Sequence, residues 1–204
     1  MASARGGGGA ATQSGIIYQN RVAAWMAVGI LAEQEASPPW DLPANVFLKF
    51  LRCETEQPVD DLLIGTSEGG HVFIQAKHQL ELGKSPQSEF GKTIDQFIRQ
   101  FLAYPTHTSS NRPWERPLDA KRDRLVLVTS SASSASIREE LPHLLTKIRE
   151  LSSHQEIREA ASNSHKAEQV FDTVINLITT IWQNIEGNEP TDDEKHQHQE
   201  SALS

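Results

Sequence analysis

The stretch Val59-Asp60-Asp61-Leu62-Leu63-Ile64-Gly65, then Thr66-Ser67-Glu68-Gly69-Gly70, then His71-Val72-Phe73-Ile74-Gln75-Ala76-Lys77-His78, constrains the fold more than any other part of the chain. Two short apolar runs around residues that tolerate positive φ specify a pair of antiparallel strands joined by a turn. Side chains alternate across a sheet, so Gln75 and Lys77 share a face with His71 and Phe73. If residues 66–70 form a five-residue loop, Gly65 pairs with His71 and Asp61 falls opposite Gln75. A loop one residue shorter brings Asp60 there instead. The five-residue loop, and with it Asp61, is the preferred reading. The same reasoning across a two-residue turn at Gln57-Pro58 sets Glu54 against Asp61, with Glu56 as the alternative.

An acid at the start of one strand and a Gln-x-Lys pair at the end of the next make a set suited to Mg²⁺-dependent phosphodiester chemistry. Mg²⁺ is a hard, octahedral ion that takes one or two carboxylates and keeps several waters. Asp61, Glu54 and the amide oxygen of Gln75 or a neighbouring carbonyl would serve as its ligands. Lys77 would sit beside the attacked phosphate, where an ammonium stabilises developing negative charge. His71 and His78 flank the site, and His78 is a candidate phosphate contact.

Around this hairpin the sequence predicts a mixed α/β sandwich, with a layer of helices on each side of a central sheet. Residues 15–35 place Ile16, Ile17, Tyr18, Val22, Trp25, Met26, Gly29, Ile30 and Leu31 at three- and four-residue steps, an amphipathic helix that Ser14 could cap and Pro38-Pro39 would close. Residues 46–53 read as a first strand, 59–65 and 71–77 as the second and third, and 90–104 as a helix. Leu125-Val126-Leu127-Val128-Thr129 is a continuous apolar run, as for a strand buried on both faces. Ser136-Ile137-Arg138-Glu139 matches a capping box, and residues 167–186 carry the broad apolar stripe of a last helix. Trp25 and Trp182 fall on apolar helical faces and are predicted core. Trp40 and Trp114 lie near proline-rich loops and are predicted to be available to a partner.

The ends differ in composition from the middle. Residues 1–14 are mostly Gly, Ala, Ser and Gln with little large apolar content, a predicted disordered lead-in. Residues 187–204 are acidic and rich in His and Gln, a predicted linker or tail. The abrupt ending suggests that the chain is the N-terminal part of something longer. Residues 15–186 then form the domain proper. The formal charge of −8 is concentrated at one end: residues 186–204 hold six acids against Lys195, whereas residues 84–124 hold eight bases against five acids. Attraction for phosphate follows such local fields more than the total. One cysteine, Cys53, cannot close an intramolecular disulfide, and no run is long and apolar enough to span a bilayer or serve as a signal peptide. A reducing, cytoplasmic setting without membrane association is the expectation.

Several other patterns carry no chemistry. Gly83-Lys84-Ser85 and Gly91-Lys92-Thr93 resemble the end of a phosphate-binding loop, but the position that needs an earlier glycine holds His78 in one case and Pro86 in the other. His196 and His198 lie in the tail and make no preorganised metal site. The serines at 130–136 have no readable acid-histidine arrangement around them.

The residues from Gly15 to Glu186 resemble the PD-(D/E)xK nuclease superfamily, in the branch with Gln before the lysine, as in Mrr-type restriction endonucleases. The likeness rests on Gly15-Ile16-Ile17-Tyr18-Gln19, Glu54, Asp60-Asp61-Leu62-Leu63-Ile64, Ile74-Gln75-Ala76-Lys77-His78 and the strand ending Val128-Thr129-Ser130, in that order. It is most similar to CD-NTase-associated double-stranded-DNA endonuclease domains of bacterial antiphage systems, found beside cyclic-oligonucleotide sensors or STAND-type ATPases. The resemblance implies a restriction-endonuclease-like three-layer sandwich and cleavage of double-stranded DNA with Mg²⁺, or Mn²⁺ in its place. It assigns the chemistry to Asp61, Gln75 and Lys77 with Glu54 assisting, and makes Asp60, Gln19 and His78 accessory candidates. At position 19, where Mrr-like members often carry Glu, this chain has Gln. A sensor or ATPase region as partner and oligomerisation on activation are implied as well. A nuclease fold that binds DNA or a partner protein without cleaving is the alternative.

Overall fold

The protein, studied as a computed structural model, is described over residues 8–36, 40–104, 111–151, 153–162 and 164–187. In chain order it forms α1 (Gly8–Leu31), β1 (Leu48–Cys53), β2 (Leu62–Thr66), β3 (His71–Lys77), α2 (Glu89–Leu102), β4 (Arg124–Thr129), α3 (Leu141–Glu150), α4 (His154–Ala161) and α5 (His165–Glu186). The class is α/β, with a mixed four-stranded sheet in the order β1-β2-β3-β4. β1 and β2, and β2 and β3, pair antiparallel, and β4 runs parallel to β3. The contacts gather the chain into two compact units. One contains α1 and all four strands, and the other contains α2 to α5. No helix among the described residues is long and apolar enough to cross a membrane.

In the first unit β2 is buried along its whole length and β3 at every residue but Lys77, as the apolar runs require. The turn between them is built by Thr66, whose backbone and hydroxyl both bond to Gly70, with Gly69 in the left-handed region at φ 71°. Gly65 pairs with His71, so the five-residue loop is the one that forms. Gly65 has a second role, because the ring of Phe50 occupies the space where a Cβ would stand. On one side of the sheet Leu62, Ile64, Val72 and Ile74 pack with Val22 and Met26 of α1 and with Trp40, Leu42 and Val46 of the connection to β1. The start of β4 is tied in by Asp123, whose carboxylate accepts from the backbone N–H of His71 at 2.8 Å and of Asp119 at 2.7 Å.

Several boundaries differ from the sequence reading. α1 begins at Gly8 rather than after Ser14, so Ser14 is an interior helical residue and not a cap. Val22 and Met26 are buried against the sheet with Tyr18, Ala23 and Ile30 packed around them, while Ile16, Ile17, Trp25, Val28 and Leu31 are exposed. Trp25, predicted core, is 57% exposed, and Trp40 and Trp114, predicted accessible, are buried. α1 ends at Leu31 through Glu33, which adopts a left-handed φ of 50° and lets Gln34 donate back to the carbonyl of Gly29. Pro38-Pro39 lies outside the described residues, as do residues 1–7 and the tail beyond Gly187. β4 is half-buried throughout, since it is an edge strand rather than an interior one.

The second unit is held together by capped helices. Ser88 caps α2 by accepting from Gly91, and α5 starts at Ser164 and stops at Gly187, which takes φ 69°. The capping box predicted at Ser136 does not form. Ser136–Glu140 is a π-helical turn entered from Ala135, because Pro142 has no N–H to close the usual bond to the carbonyl four residues earlier. A capping box forms instead at Ser153 and Glu156, ahead of α4. α5 buries Phe171, Val174, Leu177, Ile178, Ile181 and Trp182, the stripe read from the sequence.

Candidate active site at the open end of β2 and β3

Asp61 is the residue immediately before β2. The pairing of Leu62 with Ile74 continues outward to bring Asp61 opposite Gln75. One carboxylate oxygen, Oδ2, accepts two hydrogen bonds, from Nε2 of Gln75 and from the backbone N–H of Ala76, each at 2.7 Å. Of the two adjacent acids it is therefore Asp61 that is built into the sheet. Asp60 is exposed, and its carbonyl accepts from the N–H of Thr55. Gln75 is 2% exposed and its Oε1 has no hydrogen-bond partner. A buried amide oxygen left without a donor costs about 1–3 kcal/mol, a cost that a ligand at that oxygen would relieve.

The electrostatics of Asp61 link the other residues to it. Burial pushes its carboxyl above the usual aspartate range, the Ala76 N–H and the Lys77 ammonium pull it back, and the charges of Asp60 and Glu54 push it up again. Lys77 thus acts on Asp61 as the counter-charge of the site. Just beyond the last β1–β2 pair, Cys53 with Leu62, Glu54 donates its backbone N–H to the Asp61 carbonyl at 3.1 Å. Its φ of 49° turns the chain out of the strand there, and the residue is exposed. Glu56, the alternative acid, is engaged by Arg112 at 3.0 Å.

α1 reaches the same place. Nε2 of Gln19 donates to the carbonyl of Asp61 at 3.2 Å, so Gln19 steadies the backbone of the acid rather than presenting a carboxylate. His78, next to Lys77, lies with Nδ1 2.9 Å from the Ser14 hydroxyl and its ring 5.5 Å from that of Tyr18, while its carbonyl accepts from Ser130. Burial raises the Tyr18 hydroxyl above its ordinary pKa. Sequence reasoning missed the contact between Ser14 and His78. The two are 64 residues apart, and the only local signal at Ser14 pointed to a cap.

The donors here are hard oxygens, and the unpartnered Oε1 of Gln75 beside a desolvated carboxylate fits a Mg²⁺ or Mn²⁺ ion. Among the described residues no three His, Cys, Asp or Glu side chains converge on a point, so a cation would depend on Asp61, the amide oxygen and water, with Glu54 supplementing them. No family model matches the chain, and no curated protein or solved structure does either.

Proposed function

We propose that this chain is a Mg²⁺-dependent endonuclease domain that cleaves double-stranded DNA, built as a restriction-endonuclease-like three-layer sandwich. The observation that carries the reading is the Asp61 carboxylate held by Gln75 and Ala76, with the buried Oε1 of Gln75 left open and Lys77 as counter-charge. Asp61, Gln75 and Glu54 would hold the ion, which supplies charge neutralisation at the phosphate and acidifies the attacking water. Lys77 offsets the negative charge that develops on the phosphoryl oxygens as water adds and the O–P bond breaks. Ala76 and Gln75 fix the orientation of Asp61, and Gln19 fixes its backbone. The biological setting follows from the sequence resemblance: a cytoplasmic effector of bacterial antiphage defence, oligomeric when activated by a sensor or STAND-type ATPase region. The test is Mg²⁺-dependent cleavage of a DNA duplex that Lys77→Ala abolishes while its melting temperature stays near that of the wild type.

A second reading, a nuclease fold that binds DNA or a partner protein without cutting, draws on one observation. Nε2 rather than Oε1 of Gln75 faces Asp61, and no third carboxylate or imidazole converges there among the described residues. Calorimetry that detects no Mg²⁺ binding, together with unchanged DNA affinity in Asp61→Asn, would favour it.

A further inference from the structure

We propose that Arg52, set over the ring of Trp114, grips the nucleic-acid backbone beside the candidate active site, in the groove of about 640 Å³ that Phe50, Arg52, Asn111, Arg112, Pro113 and Trp114 line. The proposal rests on the nuclease reading above and says how the duplex is held.

The groove lies within the first unit and on the site's face of the sheet. Arg52 pairs with Leu63, which pairs with Phe73, so these three form one row across the strands. The adjacent row on the same face continues through Asp61 and Gln75, since side chains two apart share a face, whereas Glu54 leaves the strand at φ 49°. Two residues of strand separate the rows, a distance of about 7 Å. Along one strand of a duplex the charge advances by about 3.4 Å of helix axis per phosphate, so a row-to-row distance of this size is on the scale of neighbouring phosphates. A backbone with one phosphate at Asp61 would carry neighbouring phosphates along the side of the sheet on which Arg52 stands.

Arg52 is preorganised for this contact. Its guanidinium carbon stands 4.6 Å from the centre of the Trp114 ring. Trp114 is itself fixed, 7% exposed and packed against Phe50 and His71 with ring centres 6.2 Å apart in each case. Phe50 in turn lies over Gly65. The guanidinium edge makes no hydrogen bond or ion pair with any described residue. A planar cation held by one face, with its N–H fork unspent, suits bidentate recognition of a phosphate. Trp114 serves as a platform for the cation and not for a base, because Arg52 covers it. Arg112 adds a second cation on the groove wall, partly offset by its ion pair with Glu56.

The experiment is equilibrium binding of a labelled 20-base-pair duplex in EDTA, titrated with NaCl, for the wild type, Arg52→Gln, Arg52→Lys and Glu56→Gln, each checked by thermal melting. The affinity of Arg52→Gln is expected to fall about tenfold, with the slope of log K against log salt shallower by about one. Arg52→Lys keeps the slope and loses part of the affinity, and Glu56→Gln binds more tightly than the wild type. Wild-type binding with an Arg52→Gln affinity and slope that match it would overturn this inference alone, provided Lys77→Ala still abolishes cleavage. A wild-type chain that neither binds nor cuts DNA would overturn the nuclease reading and this inference together. Competition by polyglutamate as effective as by DNA at equal charge would make the groove a general polyanion site and overturn the assignment to nucleic acid.

Discussion

Asp61 gathers most of the chemistry at the residue scale. Its Oδ2 carries two short hydrogen bonds and its carboxyl is raised by burial, so the charged form is held by directed donors in a place where water helps less than usual. Because the folded pKa lies above the unfolded one, Asp61 favours the fold below the ordinary carboxylate range, and that contribution is lost as pH rises through the raised folded value. Asp61→Asn keeps an acceptor for Gln75 and Ala76 and removes the desolvated charge. Its melting temperature at pH 8 is expected to equal or exceed that of the wild type, with the difference shrinking as pH falls through the carboxylate range. Differential scanning fluorimetry across pH measures this, and a large loss of stability at pH 8 would count against it. The same raised pKa bears on activity. Protonation of Asp61 competes with the cation, so the acid limb of the cleavage profile is expected above the usual aspartate range at limiting Mg²⁺, and to move to lower pH as Mg²⁺ is raised. A limb at the ordinary value that ignores Mg²⁺ would contradict this. Lys77→Ala is expected to slow cleavage by at least about a hundredfold, the scale of losing one preorganised charge at a reacting phosphate.

The hairpin was legible in the sequence at the scale of the element, because one turn with Gly69 at positive φ fixes the register and a slip by one residue would put Asp60 in place of Asp61. The juxtaposition of Asp61 with Gln75 follows from that register. The line of Glu54 could be read as well, but not its left-handed backbone, which no residue type in that stretch announces. α1 was legible as a helix and illegible as a surface. Its apolar residues run around the whole circumference, and three- and four-residue spacing cannot choose the face that meets the sheet. Met26 faces the sheet and Trp25 faces away. Met26→Ala is accordingly expected to cost about 2–5 kcal/mol and Trp25→Ala less than about 0.5 kcal/mol, as urea unfolding would measure. Equal losses at the two positions would mean that the helix is rotated from the orientation described. The Phe50 ring over Gly65 was equally hidden, since it depends on a shift of register in β1 between Leu48 and Phe50. The methyl group of Gly65→Ala meets that ring and is expected to cost about 1–3 kcal/mol. A melting temperature unchanged by the substitution would show that Phe50 yields freely.

For the whole molecule, the separation of the candidate chemistry from the net charge decides how the chain can meet an anion. A total of −8 repels DNA at long range, but six acids of residues 186–204 account for most of it, and the sheet that carries Asp61 and Lys77 also carries Arg52 and, on the nearby loop, Arg112. All four strands and α1 belong to one compact unit, and every residue of the candidate site and of the adjoining groove lies in that unit. The α/β class was readable from the order of apolar runs, whereas the parallel joining of β4 to β3 was not read from them, since a helix-length connection permits either direction. The aromatic packing behind the groove was not readable either, since Phe50, His71 and Trp114 come from three distant segments. The central claim is chemical, and the most direct test is digestion of linear and supercoiled plasmid by the purified wild type and by Lys77→Ala, each with Mg²⁺ and with EDTA. Cleavage is expected from the wild type with Mg²⁺ and in no other lane. Cleavage by Lys77→Ala at the wild-type rate, or by the wild type in EDTA, would contradict it.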